Sequence, residues 1–276
     1  MIVKFWGVHG SLPQPGPKTL KYGGNTPCVE VCCGSTLLIF DAGSGIRELG
    51  KDLLTRFKNR GSIRGHIFLS HYHWDHIQGF PFFGPAFKAG NEFDLYGGYN
   101  DGCYLEEALR FQMSKPCFPI SIDKLGAKMS FHNVEPGQTV EIDDALVRVA
   151  AIDHPGGCMG YRVDFQGKSV IYASDTEPAD GIDTKLLELA HDVDVLIHDC
   201  MFSPEQYRGE LDGISRKSWG HSTVEIPVRL AREANAKQLV LFHHGNEDAA
   251  IEEIERKAQQ LFPNTIAAYE GLEIEL

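Results

Sequence analysis

The chain has 276 residues, 42 % hydrophobic and 10 % aromatic, which is enough apolar mass for a sizeable core and excludes a disordered chain or a disulfide-stapled miniprotein. Its 26 Lys and Arg face 38 Asp and Glu, a formal charge of −12, and no basic run exceeds Arg216-Lys217, so polyanions and anionic membranes are poor default partners. Seven cysteines without a CxxC pair suggest neither a disulfide framework nor a structural zinc motif. With no leader-like N-terminus and no apolar window near eighteen residues, the expectation is a soluble, cytoplasmic protein with no membrane partner.

The first expected strand is Ile2 to Trp6, followed by an irregular Gly/Pro-rich loop over Gly10 to Gly24. Strands follow at Cys28 to Cys32 and Thr36 to Phe40, then a helix over Gly45 to Asn59, where Ile46, Leu49, Leu53, Leu54 and Phe57 keep a helical period. His66 to Leu69 is the next apolar strand. Gly84 to Ser130 contains a strand at Phe93 to Tyr96 and a helix at Leu105 to Met113. Its prolines, glycines and scattered aromatics otherwise read as an irregular insertion or lid over one edge. Further strands are expected at Leu146 to Ile152, Met159 to Phe165, Ser169 to Ala173, Val193 to His198 and Lys237 to Phe242. Helices are expected over Asp183 to His191, Thr223 to Asn235 and Asp248 to Leu261. Strand groups in both halves, with helices between them and no linker or repeat, predict one α/β domain with two mixed sheets.

The strand at His66 runs into His71-Tyr72-His73-Trp74-Asp75-His76, which puts four residues able to bind a metal within six positions. Imidazole nitrogens and carboxylate oxygens suit borderline divalent cations, and His71 and His73 share a face of extended backbone. A solvated His-rich loop is the bland alternative, but four strongly hydrated side chains directly after an apolar strand call for a reason. His154, Asp175 and His243 also follow apolar strands. Singly each is an ordinary strand-end polar residue; in this order after H-x-H-x-D-H they form a set.

That set resembles the metallo-β-lactamase superfamily, over a span from Asp41 to His243. The resemblance implies a four-layer αββα sandwich of two mixed β-sheets with the site along one edge. It implies two divalent ions, zinc first, with manganese and iron also suited to such ligands. His71, His73 and His154 would hold one ion, Asp75, His76 and His243 the other, and Asp175 would bridge them. Asp41 matches the family aspartate that orients a ligand histidine. A pair of ions acidifies a water and clamps the attacked centre, with Asp75 aligning that water, so the resemblance implies a hydrolase. Redox-active di-iron relatives differ by carrying a glutamate at the position of His73. His243 is preferred to His244 by its register after the strand, while His9 and His132 read as surface or hydrogen-bonded histidines.

Gly220-His221-Ser222-Thr223 precedes a helix whose start Ser222 and Glu225 would mark as a capping box. This stretch resembles the phosphodiesterase branch of the superfamily, which includes ribonuclease Z and the cyclic phosphodiesterase of phosphonate breakdown. There the histidine protonates the leaving alkoxide and a carboxylate from a His-Glu-Ala-Thr element orients it. Here that element is His198-Asp199-Cys200-Met201, so the resemblance assigns His221 as general acid and Asp199, one methylene shorter, as its partner. The chain has no basic arm of the kind that grips transfer RNA. The expectation is therefore a binuclear metal-dependent phosphodiesterase acting on a small phosphodiester such as a cyclic nucleotide, with nucleic acid disfavoured and a homodimer left open. The alternatives are ribonuclease Z-like RNA cleavage, thioester or lactone hydrolysis, and metal or ligand binding without turnover.

Overall fold

The structure is a computed structural model that describes residues 1–179 and 181–276. Six strands of the first sheet come early: β1 (Ile2–Gly7), β2 (Cys28–Cys33), β3 (Thr36–Phe40), β4 (Arg64–Phe68), β5 (Glu92–Gly97) and β6 (Lys128–Asn133). The second sheet takes β7 (Thr139–Ile142), β8 (Ala145–Ile152), β9 (Cys158–Phe165), β10 (Lys168–Ala173), β11 (Val195–Asp199), β12 (Gln238–Phe242) and β13 (Thr265–Ala267). The last strand, β14 (Glu273–Glu275), returns to the first. The orders are β14-β1-β2-β3-β4-β5-β6 and β13-β12-β11-β10-β9-β8-β7.

Alternation decides what each strand buries. Leu38, Phe40, Val170, Tyr172, Val240 and Phe242 point between the sheets, where Phe40, Phe68, Tyr161 and Tyr172 pack ring against ring. The intervening Leu37, Ile39, Ile171, Ala173, Leu239 and Leu241 face outward against helices. Those positions are therefore apolar on both faces, as expected for strands covered on both sides. On the first sheet the cover comes from α1 (Gly45–Arg56), α2 (Trp74–Ile77) and α3 (Leu105–Gln112), through Ile46, Leu49, Leu53, Ile77, Leu105 and Leu109. On the second it comes from α4 (Thr184–Ala190), α6 (Glu225–Glu233) and α7 (Asp248–Leu261), with the short α5 (Pro204–Arg208) lying before α6. The result is the expected αββα sandwich.

Within residues 84–130 the expected strand and helix are present and belong to the first sheet and its cover. β5 pairs in parallel with β4 on one side and β6 on the other, and α3 covers the sheet. The irregular part lies between and after these elements. No helix among the described residues is long and apolar enough to cross a membrane.

Strand direction places the site. β3, β4, β5 and β6 run parallel, as do β10, β11, β12 and β13, and β8 is antiparallel to β9, which is antiparallel to β10. Asp41, His71, His154, Asp175, Asp199 and His243 all lie at or just beyond the C-terminal ends of co-directional strands, so chemistry dispersed along the sequence converges at one rim.

Candidate binuclear metal centre

His71, His73 and His154 converge first. His73 Nδ1 lies 2.9 Å from His71 Nε2 and 3.2 Å from His154 Nε2. Asp75, His76, Asp175 and His243 form the neighbouring cluster: His243 Nε2 is 3.1 Å from Asp75 Oδ2, and His76 Nε2 is 3.3 Å from the same oxygen. Asp175 stands between them. Its Oδ1 is 3.2 Å from His76 Nε2 and 3.3 Å from His243 Nε2, and its Oδ2 is 3.7 Å from His71 Nε2. The candidate ligand atoms of each cluster lie within 4.8 Å of one another. All seven residues proposed from the sequence as ligands are thus gathered in two adjoining sets.

The donor chemistry fits cations. Asp175 is buried, yet its Oδ1 makes no hydrogen bond, a costly state for a carboxylate oxygen unless a positive charge faces it. Burial pushes the His71 imidazole well below its ordinary range. Burial would do the same to His76, but Asp175, Asp75 and Asp41 prevail and push it well above that range. Burial would raise Asp75, and His76 and His243 instead hold it well below the carboxylate range. The carboxylates thus favour positive charge at this spot, which bound metal would supply.

Surrounding groups fix which ring nitrogens face inward. Asp41 accepts hydrogen bonds from Ser70 N at 2.7 Å, Ser70 Oγ at 2.8 Å and Tyr172 Oη at 2.6 Å, and lies 2.7 Å from His76 Nδ1. Nδ1 of His76 is thereby occupied and Nε2 is turned to the cluster. His154 Nδ1 donates to Gly220 O at 2.9 Å, again freeing Nε2. Asp41 (φ 60°) and His243 (φ 58°) both occupy the left-handed region, a strain retained where side-chain direction is over-determined. The loop after β1 closes the rim: Ser11 N donates to Asp75 Oδ2 at 2.7 Å, and a Cβ on Gly10 would meet the His243 ring at 2.6 Å. We expect Asp41→Ala to weaken metal affinity about 10- to 100-fold, measured by competition with a chromogenic chelator.

Next to the second cluster sits the expected proton-handling pair. His221 Nδ1 is 3.4 Å from Asp199 Oδ2, and its ring stacks on His243 with centroids 5.0 Å apart. Burial opposes the charged imidazolium, but Asp199 overrides it and raises His221 to about 9; two nearby dications would draw that value back down. His243 links the pair to the cluster, with Nε2 facing Asp75 and Asp175 and Nδ1 3.8 Å from Asp199 Oδ1. Despite its shorter side chain, Asp199 also accepts from Ser222 N at 2.8 Å, which anchors the His221 loop.

Ser222 is not the helix cap expected from its spacing to Glu225. α6 begins at Glu225 after Val224 without a side-chain cap, and Ser222 Oγ donates to Thr176 O at 2.5 Å instead. His244, adjacent to His243, bonds Ala268 O at 2.9 Å, and burial pushes it down to about 3, so it lies outside both clusters. His9 and His132 lie outside them too.

Glu177 was not singled out from the sequence. Its carboxylate accepts from Tyr207 Oη at 2.6 Å, Ser218 N at 2.8 Å and Gly220 N at 2.6 Å, tying down the loop that carries His221. Gly220 (φ 90°) also brings its backbone against His154, where a Cβ would sit 2.3 Å from Nδ1. Glu177→Ala should loosen the loop that carries His221 and lower turnover by up to about 10²-fold through its misplacement, with bound metal unchanged. Steady-state kinetics and metal analysis by mass spectrometry together check this.

An αββα sandwich whose strand ends gather two adjoining His/Asp clusters defines a metal-dependent hydrolase. A family model described as "Beta-lactamase superfamily domain" matches residues 36–244, and the chain belongs to that family. The ribonuclease Z of Bacillus subtilis (strain 168) is 27 % identical over 86 % of this chain and 87 % of its own length. Among solved structures, the metallo-beta-lactamase fold protein YhfI from Bacillus subtilis superposes with a TM-score of 0.74 at 19 % identity, covering 100 % of this chain and 99 % of that one. The short form of human tRNase Z gives 0.70 at 19 % identity, with the same coverage.

Proposed function

We propose that the protein is a binuclear metal-dependent phosphodiesterase. His71, His73 and His154 hold one ion, Asp75, His76 and His243 the other, and Asp175 is shared. Zinc suits this nitrogen-and-oxygen set best, with manganese and iron as the other candidates. When bound, the two ions supply an activated water and neutralise charge on the attacked phosphoryl group. The chain's own residues do the rest: Asp75 orients the attacking water, His221 delivers its proton to the departing alkoxide, and Asp199 holds His221 charged and in register.

The observation that carries this reading is the Asp199–His221 pair, buried and stacked against the second cluster. A protein that only bound metal or ligand has no use for a leaving-group acid. Thioester and lactone hydrolysis likewise need no strong one.

Two substrates fit. An RNA phosphodiester comes first, because the comparison with ribonuclease Z spans most of both chains. The small diester expected from composition stands second and is favoured by the charge of −12. Assaying the metal-loaded protein on an RNA with a 3′ extension, 2′,3′- and 3′,5′-cyclic nucleotides, bis-p-nitrophenyl phosphate and an acyl thioester separates them. Turnover of the thioester with every phosphodiester untouched would overturn the proposal.

A further inference from the structure

On the side of His71 and His73 the metal centre opens into a cavity of about 560 Å³. Trp74 and Ile77 of α2, Phe82, Phe111 of α3 and Phe118 line it. Phe82 and Phe118 meet edge to face with centroids 5.7 Å apart. Trp74, Phe82 and Phe111 are 73 %, 58 % and 79 % exposed, a group of large aromatics left in water beside a reaction centre. No lysine or arginine lines the cavity among the described residues, and its sole carboxylate is Asp101. Asn100 is buried in the wall; its Nδ2 donates to Gly157 O at 2.7 Å, while its Oδ1 has no hydrogen-bond partner.

Resting on the phosphodiesterase reading, we propose that this cavity seats one esterifying group of the diester, and that this group is an uncharged aromatic ring of nucleobase size. With the phosphoryl group at the metal centre, an ester substituent directed past His71 and His73 enters the cavity. There the aromatic walls offer faces and edges to a flat ring. Asp101, with no cation beside it in the lining, disfavours a second phosphate in the same direction. The cavity therefore selects by an uncharged ring, and any further phosphates of a longer substrate would run outside it.

The test compares two diesters with the same leaving group, thymidine 5′-(p-nitrophenyl phosphate) and methyl p-nitrophenyl phosphate, on the metal-loaded protein. The expected kcat/KM ratio favours the thymidine diester by about 10- to 100-fold, and Phe111→Ser and Phe82→Ser each shrink it toward unity. Equal turnover of both diesters, unchanged in the variants, overturns the cavity's role and leaves the phosphodiesterase reading standing. Turnover of neither overturns that reading itself. Sedimentation velocity supplies the other arm: a dimer dissociated by Phe111→Ser with the ratio unaltered would make the aromatic patch a contact between copies and overturn the proposal.

Discussion

His221→Ala should lower kcat on alkyl phosphodiesters by about 10² to 10⁴, the ordinary contribution of a positioned general acid. On bis-p-nitrophenyl phosphate, whose p-nitrophenolate leaves without a proton, the loss should be less than about tenfold. The contrast between substrates carries the assignment, because a structural role would depress both alike. Geometry leads to this expectation: His221 is held between Asp199 and the ring of His243, and its backbone neighbour Ser222 is bonded to the same carboxylate. Asp199 serves imidazole and loop together, so Asp199→Asn should show the same leaving-group dependence more weakly. A uniform loss across both leaving groups in His221→Ala, with thermal unfolding unchanged, would remove His221 from the role of acid.

Asp175→Ala should reduce bound metal from two equivalents per chain to one or fewer, as read by mass spectrometry of the desalted protein. Its two oxygens face His76 and His243 on one side and His71 on the other, so both clusters lose the anion they share. Charge stabilisation at such a centre is worth several kcal/mol, so turnover should fall by about 10² to 10⁴. Added metal should raise the Tm of the wild type, through preferential binding to the native state, and raise that of the variant less. Full retention of two equivalents would contradict the shared-ligand assignment.

The central strands β3, β10, β11 and β12 were legible because both of their faces are buried, which writes a continuous apolar run into the sequence, and β1, β5 and β8 because one buried face leaves an alternating pattern. The four strands not expected, β6, β7, β13 and β14, are the four edges of the two sheets. An edge strand buries less, and the mixed pattern of Lys128–Asn133 shows no such run. The ligands were legible for a related reason: His71, His154, Asp175 and His243 each come within three residues of the end of an apolar strand, and His73, Asp75 and His76 complete the run that follows β4, where parallel topology gathers strand ends. Of what holds the ligands, only Asp41 was, and through the resemblance. Tyr172 looks like any core aromatic, and its hydroxyl finds Asp41 across 131 positions of chain. Glu177 binds a loop some forty residues later, with no local spacing to mark it. Ser222 shows the converse, a local capping pattern overridden by a carbonyl 46 residues away.

The central claim is that two ions held by these seven residues support phosphodiester hydrolysis. Titrating the metal-stripped protein with zinc while following hydrolysis of bis-p-nitrophenyl phosphate tests it most directly. Activity should rise and saturate at two equivalents per chain. Two equivalents bound with no hydrolysis of the diester, or full activity before any metal is added, would contradict it.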